Sequence, residues 1–101
     1  MRELAVPAAV PVDPDGVLTD PVFDNARTDP GAVAFSVRRG GDWASVTAGE
    51  FADQVRALAK GLIAAGIGAG DRVGLMSKTR YEWTLIDYAI WTAGAVTVPI
   101  Y

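Results

Sequence analysis

Three groups of residues have types and spacing that could do chemistry. The first is Gly66-Ile67-Gly68-Ala69-Gly70, whose glycines invite comparison with a phosphate-cradling loop. The dinucleotide fingerprint needs G-x-G-x-x-G after a strand and before a helix, and here Asp71 stands where the third glycine belongs. The flanking patterns are also reversed, with a helical pattern before and a strand pattern after, so the segment reads as a connecting turn. The second group is Asp13, Asp15 and Asp20. It lacks the D-x-[DN]-x-[DN]-G loop closing on Glu that holds calcium, and caps and turns are the better account of it. The third is a pair of separate lysines, Lys60 and Lys78. Lys78 falls beside an expected helix start at the carboxyl end of an expected strand, where open α/β sheets bind ligands. A lone lysine is ordinarily solvent-exposed, and neither lysine is assigned a role.

Two further sets have a functional and a bland reading. Trp83, Tyr88 and Trp91 could form a stacking platform or line a lipid tunnel, but aromatic residues at helical spacing are far more often core. Arg38-Arg39 is the only basic pair and sits beside a turn, so it reads as a solvated hairpin tip. On the residues alone no catalytic, cofactor-binding or metal-binding residue is named.

The composition narrows the chemistry further. The 101 residues include no histidine and no cysteine, which excludes disulfides, thiolate nucleophiles and a Ser/His/Asp triad built within this chain. A net charge of −3 argues against a nucleic-acid surface, which needs clustered Lys and Arg. The N-terminal stretch carries three prolines and no long apolar core, unlike a signal peptide. No apolar run approaches the roughly 20 residues of a membrane span, which leaves peripheral association open. The expectation is a cytoplasmic protein.

The elements that must position these residues follow from periodicity. Leu4, Val6 and Ala8 alternate with other residues up to Pro11, which predicts an edge strand or extended wrap. Asp13-Pro14-Asp15-Gly16 reads as a turn. Asp20 as cap and Pro21 as first helical residue predict a helix of about two turns, ended by Pro30. From Ala32 the period becomes two, with Val33, Phe35 and Val37 on one face. Gly40-Gly41 then turns the chain into a second strand, where Trp43 and Val46 are expected to supply apolar contacts.

Thr47-Ala48-Gly49-Glu50 has capping-box spacing, and a long helix is expected to follow it. Its apolar stripe comprises Phe51, Val55, Leu58, Leu62 and Ile63, with Ala59 beside them and Gly66 as C-terminal cap. Arg72–Met76 is an expected strand. Thr79-Arg80-Tyr81-Glu82 repeats the capping-box spacing before a helix that is apolar nearly all round, and Ala95–Ile100 is an expected parallel strand. The fold class is therefore α/β: a β-hairpin followed by a right-handed βαβ unit.

Three segments together resemble the N-terminal region of the adenylate-forming (AMP-binding) acyl-CoA synthetase superfamily. They are GGDWASVTAGEFADQVRALAKGL, GIGAGDRVGLMS and RYEWTLIDYAIWTAGAVTVPIY. The ending Pro99-Ile100-Tyr101, with Arg80-Tyr81-Glu82-Trp83 before it, is most similar to long-chain fatty acid-CoA ligases. The resemblance implies residues 1–18 as an extended arm and residues 19–101 as the truncated N-terminal part of the AMP-binding (adenylation) domain, an incomplete fold. It implies ATP-dependent formation of an acyl-adenylate from a fatty acid, then transfer to coenzyme A, with Mg²⁺ assisting. The family's phosphate loop, metal-side glutamate, ribose aspartate and C-terminal lysine lie downstream. The fragment is thus expected to bind no cofactor itself, and the remainder of its own chain is expected to cover residues 80–93. Two alternatives are a stand-alone small α/β interaction module, dimeric through its last helix, and half of a dehydrogenase.

Overall fold

The computed structural model describes residues 2–101. Three helices and two small sheets succeed one another in the order α1, β1, β2, α2, β3, α3, β4.

Helix α1 spans Asp20–Thr28, with Pro21 in its first turn and Asp29 leaving helical geometry at φ −151°, as a residue before proline must. Its start differs from the expected one. Thr19 is the N-cap and makes no side-chain cap bond, while the Asp20 carboxylate turns backward to accept the Val17 N–H at 2.9 Å. The expected edge strand is likewise not formed. Residues 2–12 adopt no regular structure, and Leu4, Val6, Val10 and Val12 are exposed.

Strands β1 (Val33–Arg39) and β2 (Asp42–Thr47) form an antiparallel hairpin whose register shifts between Val33 and Phe35. Gly40 and Gly41 both take positive φ (58° and 89°), the two-residue turn whose twist matches the strands. Val46 is buried, but Trp43 is 68% exposed, because it alternates onto the outer face with Ser45 and is covered only by Arg38.

Helix α2 (Ala48–Ala64) starts as its spacing predicts. The Thr47 hydroxyl oxygen accepts the Glu50 N–H at 3.1 Å and the hydroxyl donates to Glu50 Oε1 at 3.0 Å. At the other end Gly66 (φ 102°) donates to Ile63 O while Ile67 donates to Leu62 O, the double bond of a Schellman cap. The apolar stripe is buried at Phe51, Ala52, Val55 and Ala59, then fades to an Ile63 that is 55% exposed.

Strands β3 (Arg72–Met76) and β4 (Val96–Ile100) pair in parallel, Arg72 with Val96 through Met76 with Ile100, and α3 (Tyr81–Thr92) crosses between them. Thr79 does not cap α3. The N-cap is Arg80, one residue later, and Glu82, the partner the capping box would need, is held by the Arg80 guanidinium instead. Helix α3 joins the two halves. Tyr81, Leu85 and Tyr88 lie against the core formed by Val46, Phe51 and Val55, and the same helix packs on β3 and β4. Ala89 and Ile90 are buried, and the helix's other residues are partly covered.

Candidate functional site

In a parallel sheet the position to inspect is the carboxyl end of the strands. Here that end is the Ser77–Arg80 loop, the first turn of α3, and the close of β4. The Ser77 hydroxyl donates to Lys78 O at 2.9 Å, a bond local to the loop. Lys78 is exposed and joins no ion pair among the described residues. Arg80 Nε donates to Glu82 Oε2 at 2.6 Å, and this hydrogen bond, first among its influences, holds the Glu82 carboxyl below its ordinary range. Both side chains are solvent-exposed, so the pair organises the helix start more than it stabilises it.

Beside this loop a groove of about 500 Å³ runs between the hairpin and α3, lined in part by Arg38, Arg39, Trp43, Arg80 and Tyr81. The guanidinium groups of Arg38 and Arg80 are engaged within the protein. Arg38 Nη2 donates to Gly41 O at 3.2 Å and its guanidinium lies 5.4 Å from the centroid of Trp43, which makes the pair a hairpin-tip clasp. The Tyr81 hydroxyl donates to Gln54 Oε1 at 2.5 Å and links α3 to α2, and burial raises its pKa above the ordinary tyrosine value. This link between helices is not legible in the sequence, because nothing in the spacing of Gln54 and Tyr81 pairs them.

The other singled-out residues fall in separate places. Gly66–Gly70 lies at the amino ends of β3 and β4, opposite the ligand end of the sheet. Gly70 N donates to Gly94 O at 2.9 Å and Gly68 N to Asp71 Oδ2 at 2.7 Å, so its amides knit one turn to the other. Asp13 accepts the Asp15 N–H within its own turn at 3.0 Å, and Asp20 accepts that of Val17. Lys60 sits exposed on α2. Tyr88 and Trp91 continue the core: ring centroids are 4.7 Å apart for Phe35–Phe51, 5.6 Å for Phe51–Tyr88 and 5.2 Å for Tyr88–Trp91. Trp83 is different, stacked on Tyr101 at 6.1 Å where α3 begins and β4 ends. Two buried oxygens, Asp87 Oδ1 and Thr97 Oγ1, have no hydrogen-bond partner among the described residues.

A nucleotide or Mg²⁺ does not fit these surroundings. No three His, Cys, Asp or Glu side chains converge among the described residues, and the loop at the carboxyl end of β3 contains no glycine to let its amides wrap a phosphate.

The AMP-binding enzyme family matches residues 22–101. The chain belongs to that family. Long-chain-fatty-acid–CoA ligase FadD15 of Mycobacterium bovis and its namesake in Mycobacterium tuberculosis are each 48% identical to it over all 101 residues, which span 17% of their length. A protein of Rhodopseudomonas palustris, crystallised under the name long-chain-fatty-acid CoA ligase, superposes with a TM-score of 0.76 at 30% identity. That match covers 86% of this chain and 21% of the other. The chain is thus similar to the N-terminal part of long-chain fatty acid-CoA ligases, and its mixed α/β fold is that of AMP-binding ligases over a portion of their length. Among the described residues no helix is long and apolar enough to cross a membrane.

Proposed function

We propose that this chain is a scaffold portion of an ATP-dependent long-chain fatty acid-CoA ligase. The observation that carries the reading is the 48% identity to FadD15 along the entire chain, without a gap in coverage. The whole protein would join a fatty acid to ATP with loss of pyrophosphate, then pass the acyl group to coenzyme A, with Mg²⁺ neutralising phosphate charge. In this reading the enzyme works in the cytoplasm. This chain contributes the opening strands of the sheet and the helices that support them, and none of its own side chains performs the reaction.

The exposed apolar side chains of β4, Val96, Val98 and Ile100, support the scaffold reading, because both faces of a parallel sheet are normally covered. In this reading the remainder of the same polypeptide covers that face and residues 80–93. The test is to express the protein that carries this chain and supply palmitate, ATP, Mg²⁺ and coenzyme A. Palmitate-dependent pyrophosphate release with formation of palmitoyl-CoA is expected. Pyrophosphate release with no thioester would make it an adenylate-forming enzyme with another acceptor, and the absence of both would overturn the reading.

A further inference from the structure

The groove between the hairpin and the start of α3 joins two kinds of surface that are rarely found together. Residues 35–39 of β1 line one side and residues 79–82 the other, and its volume of about 500 Å³ falls in the roughly 300–1,000 Å³ range of small-molecule sites. Part of the lining is aromatic. Phe35 and Tyr81 meet edge to face at 5.3 Å, and Trp43 beside them is 68% exposed. The rest is cationic: Arg38, Arg39 and Arg80 stand against the single carboxylate of Glu82, on a chain whose net charge is −3.

Two of these guanidinium groups are held in place without being used up. Arg80 is fixed through Nε to Glu82, which leaves its Nη atoms free of ion pairs among the described residues. Arg38 is fixed through Nη2 to Gly41 O and through its contact with Trp43. A guanidinium carries five N–H donors, so each keeps several after one bond is made.

Arg39 is the uncommitted one. It is exposed and makes no ion pair among the described residues, although Asp42 stands opposite it in the hairpin register. Its charge is felt on the helix side of the groove. Burial raises the Tyr81 pKa and Arg39 opposes that rise, while at Glu82 Arg39 adds to the lowering that the Arg80 hydrogen bond begins.

We infer that this groove is a binding site for a free fatty acid, whose carboxylate is taken by Arg39 together with the spare donors of Arg80, and whose alkyl chain lies over Phe35, Tyr81 and Trp43. A guanidinium fork matches a carboxylate in plane, and charge-assisted bonds of this kind are about twice as strong as neutral ones. The aromatic floor selects an amphiphile, because a small oxyanion would satisfy the arginines and leave the rings in water. The site goes beyond the ligase reading: it receives the acid before any chemistry and needs neither ATP nor coenzyme A. Its failure is therefore read separately from a failure of ligase activity.

The experiment uses the full protein, without nucleotide, and laurate carrying a mid-chain diazirine. Irradiation followed by peptide mapping is expected to place label within residues 35–43 and 79–84. Arg39→Gln should lower the labelling of these segments by about tenfold, with labelling elsewhere in the protein and the unfolding transition unchanged. The corresponding diazirine alcohol, tested on the parent protein, should label them about tenfold less than the acid, a comparison that depends on no variant. No label in these segments, equal labelling by the alcohol, or labelling that Arg39→Gln leaves unchanged would each overturn the inference.

Discussion

The two sheets of this molecule each have two strands and differ in how they meet water. The hairpin β1–β2 is antiparallel, with Phe35 and Val46 turned onto Phe51 and Val55 of α2 while Ser36 and Ser45 face solvent. It is complete as it stands, because an antiparallel sheet can keep one wet face. The pair β3–β4 is parallel and apolar on both faces. One face lies under α3, and the other leaves Val96 50%, Val98 42% and Ile100 46% exposed. Two parallel strands with an open face are not a stable unit alone, so half of this chain is a finished structure and half is a surface to build on.

The contrast can be broken most forcefully in the finished half. Phe51→Ala removes the ring that touches Phe35, Tyr81 and Tyr88, and should cost about 3–5 kcal/mol in denaturant unfolding, enough to dissolve the hairpin–helix core. A loss under about 1 kcal/mol would mean that the aromatic cluster is loosely packed.

The unfinished half should respond to context instead. Val98→Ser in the isolated chain should change stability by no more than about 0.5 kcal/mol, as expected for a surface site. In the full protein the same change should cost about 1–3 kcal/mol, because the hydroxyl is then buried without a partner. Equal effects in the two settings, measured by thermal unfolding, would show that nothing covers this face.

The helix starts sharpen the comparison at smaller amplitude. Thr47→Ala should cost about 1 kcal/mol by removing the cap of α2. Thr79→Ala should cost nothing measurable, because Arg80 and not Thr79 begins α3. Smaller still, Thr97→Val should be neutral or stabilise by up to about 1 kcal/mol, since its buried hydroxyl has no partner among the described residues. A clear loss would reveal a partner for Thr97 elsewhere in the protein.

These same elements show what was legible in the sequence. The α/β class, the hairpin, the long capped helix and the parallel βαβ unit all follow from period, glycine position and capping chemistry, which are local. The start of α3 did not follow: Thr79-x-x-Glu82 is a valid capping box in isolation, but Arg80 competes for the same carboxylate. Trp43 was expected to pack and does not, because a strand's faces alternate and the hairpin register, with its bulge, is a tertiary property. At the candidate site the sequence located Lys78 near a strand end, yet the links that organise that end, Tyr81 to Gln54 and Trp83 to Tyr101, join residues far apart in sequence.

The central claim is that this chain supports the chemistry without performing it, and Lys78, exposed at the ligand end of the sheet with no ion pair among the described residues, tests it most directly. Steady-state formation of palmitoyl-CoA by the full protein carrying Lys78→Met should keep kcat/KM for ATP within about twofold of the parent. A loss of about a hundredfold or more, with the unfolding transition unchanged, would place a catalytic group in this chain and contradict the account.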